Sequence, residues 1–153
     1  NNDNQSLFEA LRYQILDAYL NVPYVSRSKQ SLSTFIPDNN AQLKEIESWR
    51  DSTKKAEKPA FSLNSYAGKY SHPLNGEMNI SVKENKLFVQ FETKPDLNAT
   101  LSYMGKDKWL IEYNNIEYGV FTTKFTLEKD QVKSLTIKVN DFVEYEPYEF
   151  VKK

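Results

Sequence analysis

Apolar residues recur along this chain with two different periods, and the change between them divides it. From Phe8 to Leu20 they fall at helical spacing: Phe8, Leu11, Ile15 and Tyr19 form one stripe, and Leu16 and Leu20 widen it. Ser6 followed by Glu9 has the form of a capping box, in which each side chain serves the other's backbone N–H. Pro23 pushes Val22 out of the α region, so this helix should end near Asn21. Residues 24–37 are Ser-rich, close on Ile36-Pro37, and read as a connector with a short helical turn. A second helix is expected from about Asn39 to about Glu57. Leu43, Ile46 and Trp49 give it a narrow apolar stripe, charged residues cover its other faces, and Glu47 is spaced to pair with Arg50.

After Lys58-Pro59 the period is close to two. Strands are predicted near Tyr66–Ser71, Glu77–Lys83, Lys86–Thr93, Ala99–Met104, Lys108–Tyr113, Gly119–Glu128, Val132–Val139 and Phe142–Val151. Alternation is clearest at Met78, Ile80 and Val82, at Leu87, Val89 and Phe91, and at Leu135, Ile137 and Val139. The intervening turns are short: Glu84-Asn85, Gly105-Lys106-Asp107, Lys129-Asp130-Gln131 and Asn140-Asp141. Asn and Asp tolerate the positive φ of tight hairpins. Eight antiparallel strands so joined form an up-and-down meander, and closing it into a barrel removes its edges. The expected organisation is a helical arm and linker over 1–58 and a mainly β barrel domain over 59–153. Tyr66, Tyr70, Phe88, Phe91, Tyr103, Trp109, Tyr113, Tyr118, Phe121 and Phe125 are expected to fill the barrel rather than line a ligand cavity.

Composition sharpens the question of the first helix. A 153-residue chain with 39% hydrophobic residues and mean hydropathy −0.68 is thin for a single core. Part of it should lie outside that core. A helix of this length is marginal alone in water. Each of its large apolar side chains gains about 1.5–3 kcal/mol only if a partner surface buries it. Net charge is −1, and the seventeen Lys and three Arg are scattered, so no nucleic-acid footprint is present. No apolar run approaches the ~18 residues of a membrane-spanning helix. The absence of cysteine excludes disulfides, thiolate zinc sites and a Cys nucleophile, and is compatible with export. The opening Asn1-Asn2-Asp3-Asn4 lacks an initiator Met and a signal peptide, as expected of part of a longer polypeptide.

Three constellations invite a chemical reading, and each has a plainer one. Ser26-Arg27-Ser28-Lys29 and Ser52-Thr53-Lys54-Lys55 match Ser-x-x-Lys, in which a lysine takes the serine proton inside a closed pocket. The first falls in a polar connector and the second on a solvated helix face, and thirteen serines make roughly one or two chance matches unsurprising. His72 is the only histidine, sits beside Pro73 and reads as a solvated turn residue. Glu144, Glu146 and Glu149 could pair for glycoside hydrolysis or calcium binding. Glu144 and Glu146 read instead as the charged outer face of an edge strand, which Pro147 favours. No catalytic residue, cofactor or metal is expected.

One resemblance spans nearly the whole sequence. Leu63, Tyr66, Gly68 and Tyr70 are followed by Gly76, Ile80 and Val82, then Leu87 after a tight turn. Leu101, Trp109, Phe121, Phe125, Val132, Leu135 and a closing Phe150 complete the series. This resembles the lipocalin-like domain of unknown function that trails many beta-lactamase-related (class C, penicillin-binding-protein-like) serine hydrolases. "ALRYQILDAYLNVP" is similar to the helix near the end of their hydrolase part. The resemblance implies an eight-stranded lipocalin-like barrel preceded by an N-terminal helical arm. It implies an upstream serine hydrolase domain of the same polypeptide as partner, catalytic residues outside this chain, and a periplasmic or extracellular location. The chain itself is then no enzyme but an accessory domain that packs on the catalytic domain, shapes substrate access or supports assembly. Phe8, Leu11, Ile15 and Tyr19 are the candidate interface, to that domain or to a second copy in a homo-oligomer. The loops 71–76 and 114–119 are further candidate contact surfaces. The alternative is a stand-alone binder of a small apolar ligand.

Overall fold

The computed structural model describes residues 5–141 and 143–153; the side chains of Ser6 and Thr34, and with Ser6 its half of the expected capping box, lie outside the described residues. The chain divides into two compact units, a helical one ending at Glu45 and a second from Ile46 to Lys153.

In the helical unit, α1 (Gln5–Tyr19) stops on a left-handed residue. Asn21 has φ 53°, Val22 N–H reaches Asp17 C=O at 2.9 Å and Asn21 N–H reaches Ala18 C=O at 3.4 Å. This is a Schellman closure with asparagine in the place usually given to glycine, and Pro23 bars any continuation. The buried edge of α1 is its polar one. Ala10 and Asp17 are buried and Gln14 is half-buried. All three lie on one edge of the helix, and Gln14 and Asp17 meet the start of α2 (Arg27–Lys55). Arg27 donates from Nε and Nη2 to the two Asp17 carboxylate oxygens at 2.6 and 3.1 Å, and its N–H reaches Gln14 Oε1 at 3.3 Å. Leu7, Phe8, Leu11, Ile15, Leu16, Tyr19 and Leu20 are left exposed.

Residues 27–37 are not a connector. They are the first turns of α2, which runs unbroken through Pro37. A proline inside a helix forfeits one hydrogen bond at a cost of about 3 kcal/mol. Here helical turns on both sides propagate across it, as cooperative helix growth allows. The expected Glu47–Arg50 pair is also replaced. Arg50 Nε donates to Glu112 Oε1 at 2.9 Å, tying the end of α2 to the outer face of a barrel strand, where Leu110 is only 1% exposed.

The barrel is closed and antiparallel, with each strand beside its sequence neighbour. Its strands are β1 (Gly68–His72), β2 (Gly76–Lys83), β3 (Lys86–Phe91), β4 (Asn98–Gly105), β5 (Lys108–Tyr113), β6 (Val120–Glu128), β7 (Gln131–Ile137) and β8 (Tyr148–Lys152). Pairing of Tyr70 with Lys152 and Ser71 with Val151 joins the last strand to the first. The fold is mainly β with an N-terminal helical region, consistent with a lipocalin-like barrel.

Three hairpins turn in two residues, Glu84-Asn85, Lys106-Asp107 and Lys129-Asp130, all with positive φ at both positions. That is the type I′ geometry whose twist matches paired strands. Because neighbours alternate in direction, these turns share one end of the barrel. The longer connections at 73–75, 92–97, 114–119 and 138–147 share the other. Two bulges adjust the facing of side chains: Met104 is the extra residue in β4 and Lys133 the extra residue in β7. The second lets Val132 and Leu135, three apart, both enter the core.

The core runs from Tyr66 through Tyr70, Met78, Ile80, Leu87, Val89, Leu101, Trp109, Ile111, Phe125, Leu135 and Phe150. Phe88 does not join it: between the buried Leu87 and Val89 it points outward, with Lys83 Nζ 3.8 Å from its ring centre. Two other expectations fail locally. Tyr66 belongs not to the first strand but to a single turn, α3 (Leu63–Tyr66), that closes the hairpin end. Its ring lies 5.0 Å from Trp109 and 4.8 Å from Phe125. The last strand begins at Tyr148, so Glu144 and Glu146 share no strand face. Phe142, the expected start, lies outside the described residues. Val143 and Glu144 N–H both bond back to Asn140 C=O, a turn that takes this segment out of the sheet, and Pro147 lacks the donor to re-enter it.

Candidate functional site

The hairpin end is occupied. Outside α3, a hollow of about 660 Å³ lies between the 53–63 segment and the Glu84–Lys86 turn, floored by Leu101, Tyr103 and Trp109. Glu57, Lys58, Glu84 and Lys86 line it, yet none of the four is held by a side-chain hydrogen bond among the described residues.

The loop end is different. A cavity of about 260 Å³ opens among the long connections, with Phe91, Leu97, Ile137, Val139 and Phe150 as its apolar walls. Its polar groups are each positioned by a neighbour. Tyr113 donates to Lys138 C=O at 3.0 Å. Lys94 Nζ donates to the Tyr118 hydroxyl at 2.9 Å. Tyr148 donates to Glu144 Oε2 at 2.6 Å, while Tyr145 N–H reaches Oε1 at 2.9 Å. These bonds hold the Glu144 carboxyl below its usual range and raise the Tyr148 phenol. Burial pushes the Tyr113 phenol well above the ordinary tyrosine range. Apolar walls with a few fixed polar groups are the usual form of a small-molecule pocket.

His72 supports this mouth rather than pointing into solvent. Its Nδ1 accepts from the N–H of Asn75 at 3.2 Å and of Leu74 at 3.3 Å, capping the 73–75 turn. Accepting on Nδ1 places the neutral ring's proton on Nε2. The ring packs 5.1 Å from Tyr148 and 5.5 Å from Phe150, half-buried rather than solvated. Neither Ser-x-x-Lys segment forms a nucleophile–base pair among the described residues. Ser26 Oγ lies 3.3 Å from Ser28 Oγ, and Ser52 donates to Ser48 C=O at 2.9 Å. Among the described residues no group of three or more His, Cys, Asp or Glu could hold a metal ion, and no helix is long and apolar enough to cross a membrane.

The residues of the resemblance are architectural. Tyr70, Leu87, Trp109 and Phe150 are core residues, and Leu63 packs on the core beside Tyr66. Gly68 and Gly76 have φ of 135° and 76°, and a Cβ on Gly76 would lie 2.7 Å from Thr93 Cγ2. Residues 52–152 match the model of a family described as Domain of unknown function (DUF3471). The chain belongs to this family. Neither the curated proteins nor the solved structures searched contain a match. The DUF3471 match takes in the whole barrel and the last turn of α2; α1 lies outside it. Sequence reasoning missed Lys94 and Val143 at the barrel mouth, although the 71–76 loop it named carries Asn75. Lys94 and Val143 lie in loops without periodicity, and only the topology gathers them. The signal available was the pair of loops 71–76 and 114–119, which open at this same end.

Proposed function

We propose that the chain is a non-catalytic accessory domain of a beta-lactamase-related serine hydrolase, exported to the periplasm or cell exterior, with its α1 face docked on the catalytic domain of the same polypeptide. The observation that carries this reading is α1 itself. Phe8, Leu11, Ile15 and Tyr19 are 59, 57, 48 and 84% exposed, although the sequence commits them to one apolar stripe. A continuous exposed stripe of this kind marks an interaction surface. The resemblance of that helix to the end of a hydrolase part suggests the partner; the family of the barrel after it is described only as a domain of unknown function and names none. The barrel then shapes access to the hydrolase site or supports assembly.

Two measurements test this. The reading frame upstream of Asn1 should encode a hydrolase domain with its own Ser-x-x-Lys; a frame without one sinks the proposal. A hydrophobic dye should bind this chain strongly, and the Leu11→Glu/Ile15→Glu variant should abolish that binding. Dye binding that survives the double substitution would place the exposed surface elsewhere.

A further inference from the structure

The loop end of the barrel presents three apolar side chains on fixed turns, amid an excess of carboxylates. Leu74, Ile116 and Tyr145 are the most exposed large apolar side chains described in the Ile46–Lys153 unit, each over three-quarters exposed. They sit in three different loops of this end, each within two residues of a group that lines the cavity: Asn75, Tyr118 and Glu144. Their turns are held. Leu74 N–H donates to His72 Nδ1 at 3.3 Å, Gly119 N–H closes on Ile116 C=O at 3.1 Å, and Tyr145 N–H donates to Glu144 Oε1 at 2.9 Å. Single exposed apolar residues are ordinary, but three gathered at one end mark a contact face, and turns already set lower the ordering cost of binding. Charge then selects the partner. In the same loops Glu92 pairs with Lys69 at 3.3 Å and Lys138 with Asp141 at 3.0 Å. That leaves Asp96, Glu117, Glu144 and Glu146 against Lys94, with no ion pair to any of them among the described residues. We propose that the loop end docks a basic polypeptide segment, which seats one apolar side chain in the mouth beside Leu74, Ile116 and Tyr145 and sets its lysines or arginines against Asp96, Glu117 and Glu146.

Size and sequence exclude the other macromolecules. A liquid water takes about 30 Å³, so a mouth of about 260 Å³ admits one large side chain, not a lipid chain or a helix. Glu117 follows Ile116 and Glu146 follows Tyr145, so these tips enter a bilayer only by carrying a carboxylate with them. An anionic leaflet or a nucleic-acid backbone attracts lysine and arginine, and this rim offers one free lysine against four carboxylates. The face belongs to the barrel and does not involve α1 or an upstream domain, so it stands whether or not the accessory-domain reading does.

The test is a peptide series read by amide chemical shifts of the 153-residue protein. The probe is acetyl-Lys-Lys-Phe-Lys-Lys-amide. Its controls replace every lysine by glutamate or the phenylalanine by alanine. The probe should give saturable shifts at Leu74, Leu97, Ile116, Glu117 and Tyr145, and higher salt should weaken it. Glu117→Gln/Glu146→Gln should weaken it roughly threefold or more, as loss of two exposed charge pairs does. Leu74→Ser/Ile116→Ser should weaken it roughly tenfold or more by removing apolar contact. All four side chains are exposed, so the unliganded spectra should report an intact barrel. The glutamate or alanine peptide binding as tightly as the probe, shifts centred away from the loop end, or no saturable shift at tens of millimolar would each overturn the proposal. So would binding to phosphatidylcholine vesicles, with or without phosphatidylglycerol, that Leu74→Ser/Ile116→Ser abolishes, because the tips would then serve a membrane.

Discussion

The Tyr70 hydroxyl donates to the backbone carbonyl oxygen of Tyr66 at 2.7 Å, and both residues are buried. This one bond fastens α3 to β1 and so keeps the Tyr66 ring over Trp109 and Phe125. Tyr70→Phe would keep the shape but orphan a buried carbonyl, at a cost of about 1–3 kcal/mol. Denaturant unfolding should show that loss with an unchanged slope. Amide exchange should quicken first at 63–67, because the plug loses its tether before the barrel loses its sheet. Uniform weakening with no local change at α3 would refute the tether.

The buried phenols make stability fall in alkali. Burial raises the Tyr70 and Tyr113 ionisations far above the ordinary value near 10. The sign follows from linkage: below pH 10 both states keep the proton, so their contribution is fully present. Above it the unfolded polypeptide releases protons that the barrel retains, and stability declines as pH climbs toward the folded values. In a spectrophotometric titration, at least two of the ten tyrosines, Tyr70 and Tyr113, should resist ionisation until the barrel unfolds. Tyr70→Phe/Tyr113→Phe should flatten the decline above pH 10, and an unchanged slope would contradict this assignment.

Period and turn chemistry make the barrel legible in the sequence. Alternation at Met78 and Ile80, at Leu87, Val89 and Phe91, and at Leu135 and Ile137 marks strands whose inner faces are packed, though Val82 beside the turn is exposed, and Glu84-Asn85 turns where expected. What is illegible comes from tertiary context. Pro37 reads as a stop, yet it stands within a long helix whose flanking turns carry it. Tyr66 has a strand's composition but is needed as a plug. The sequence shows the apolar stripe of α1 plainly. It does not show that Asp17, on the opposite edge, makes the contact with α2. The mouth is least visible, because Asn75, Lys94 and Val143 are far apart in sequence and only barrel closure brings their loops together.

The Asp17–Arg27 pair should behave non-additively. Asp17 sits in the last turn of α1 and Arg27 opens α2, so each charge stands at the helix end that disfavours it. Together they cancel that conflict, and the bidentate bond holds Asp17 below the carboxylate range and raises Arg27. Arg27→Gln would leave Asp17 facing the free carbonyls of α1 alone. The double variant Asp17→Asn/Arg27→Gln should therefore protect α1 amides from exchange better than Arg27→Gln does. Because the folded pKa of Asp17 is depressed, the pair's contribution is present above the unfolded carboxylate pKa and is lost as pH falls through the folded value. At strongly acid pH wild type and Asp17→Asn should thus exchange α1 amides alike. A wild-type advantage that persists there would mean that packing, not charge, joins the helices.

The three type I′ turns offer stabilisation the barrel has not used. Glu84, Asn85, Lys106, Asp107, Lys129 and Asp130 all hold φ between 47 and 61°. Residues other than Gly, Asn and Asp occupy that region at a cost of roughly 1 kcal/mol or more, which Gly avoids. Asn-Gly is the pair best suited to both positions. Replacing Lys129-Asp130 by Asn-Gly should raise stability by about 0.5–1 kcal/mol, and so should replacing Lys106-Asp107. The two turns are separate hairpins, so their effects should add within about 0.5 kcal/mol. Glu84-Asn85 should gain by a similar amount, because in each of the three turns only the first residue is of a costly type and the second is already Asn or Asp. Thermal melts of the three turn variants and their combination would measure these gains. A gain at Lys106-Asp107 and Lys129-Asp130 with none at Glu84-Asn85 would mean that loss of the lysine charges, rather than backbone conformation, sets the result.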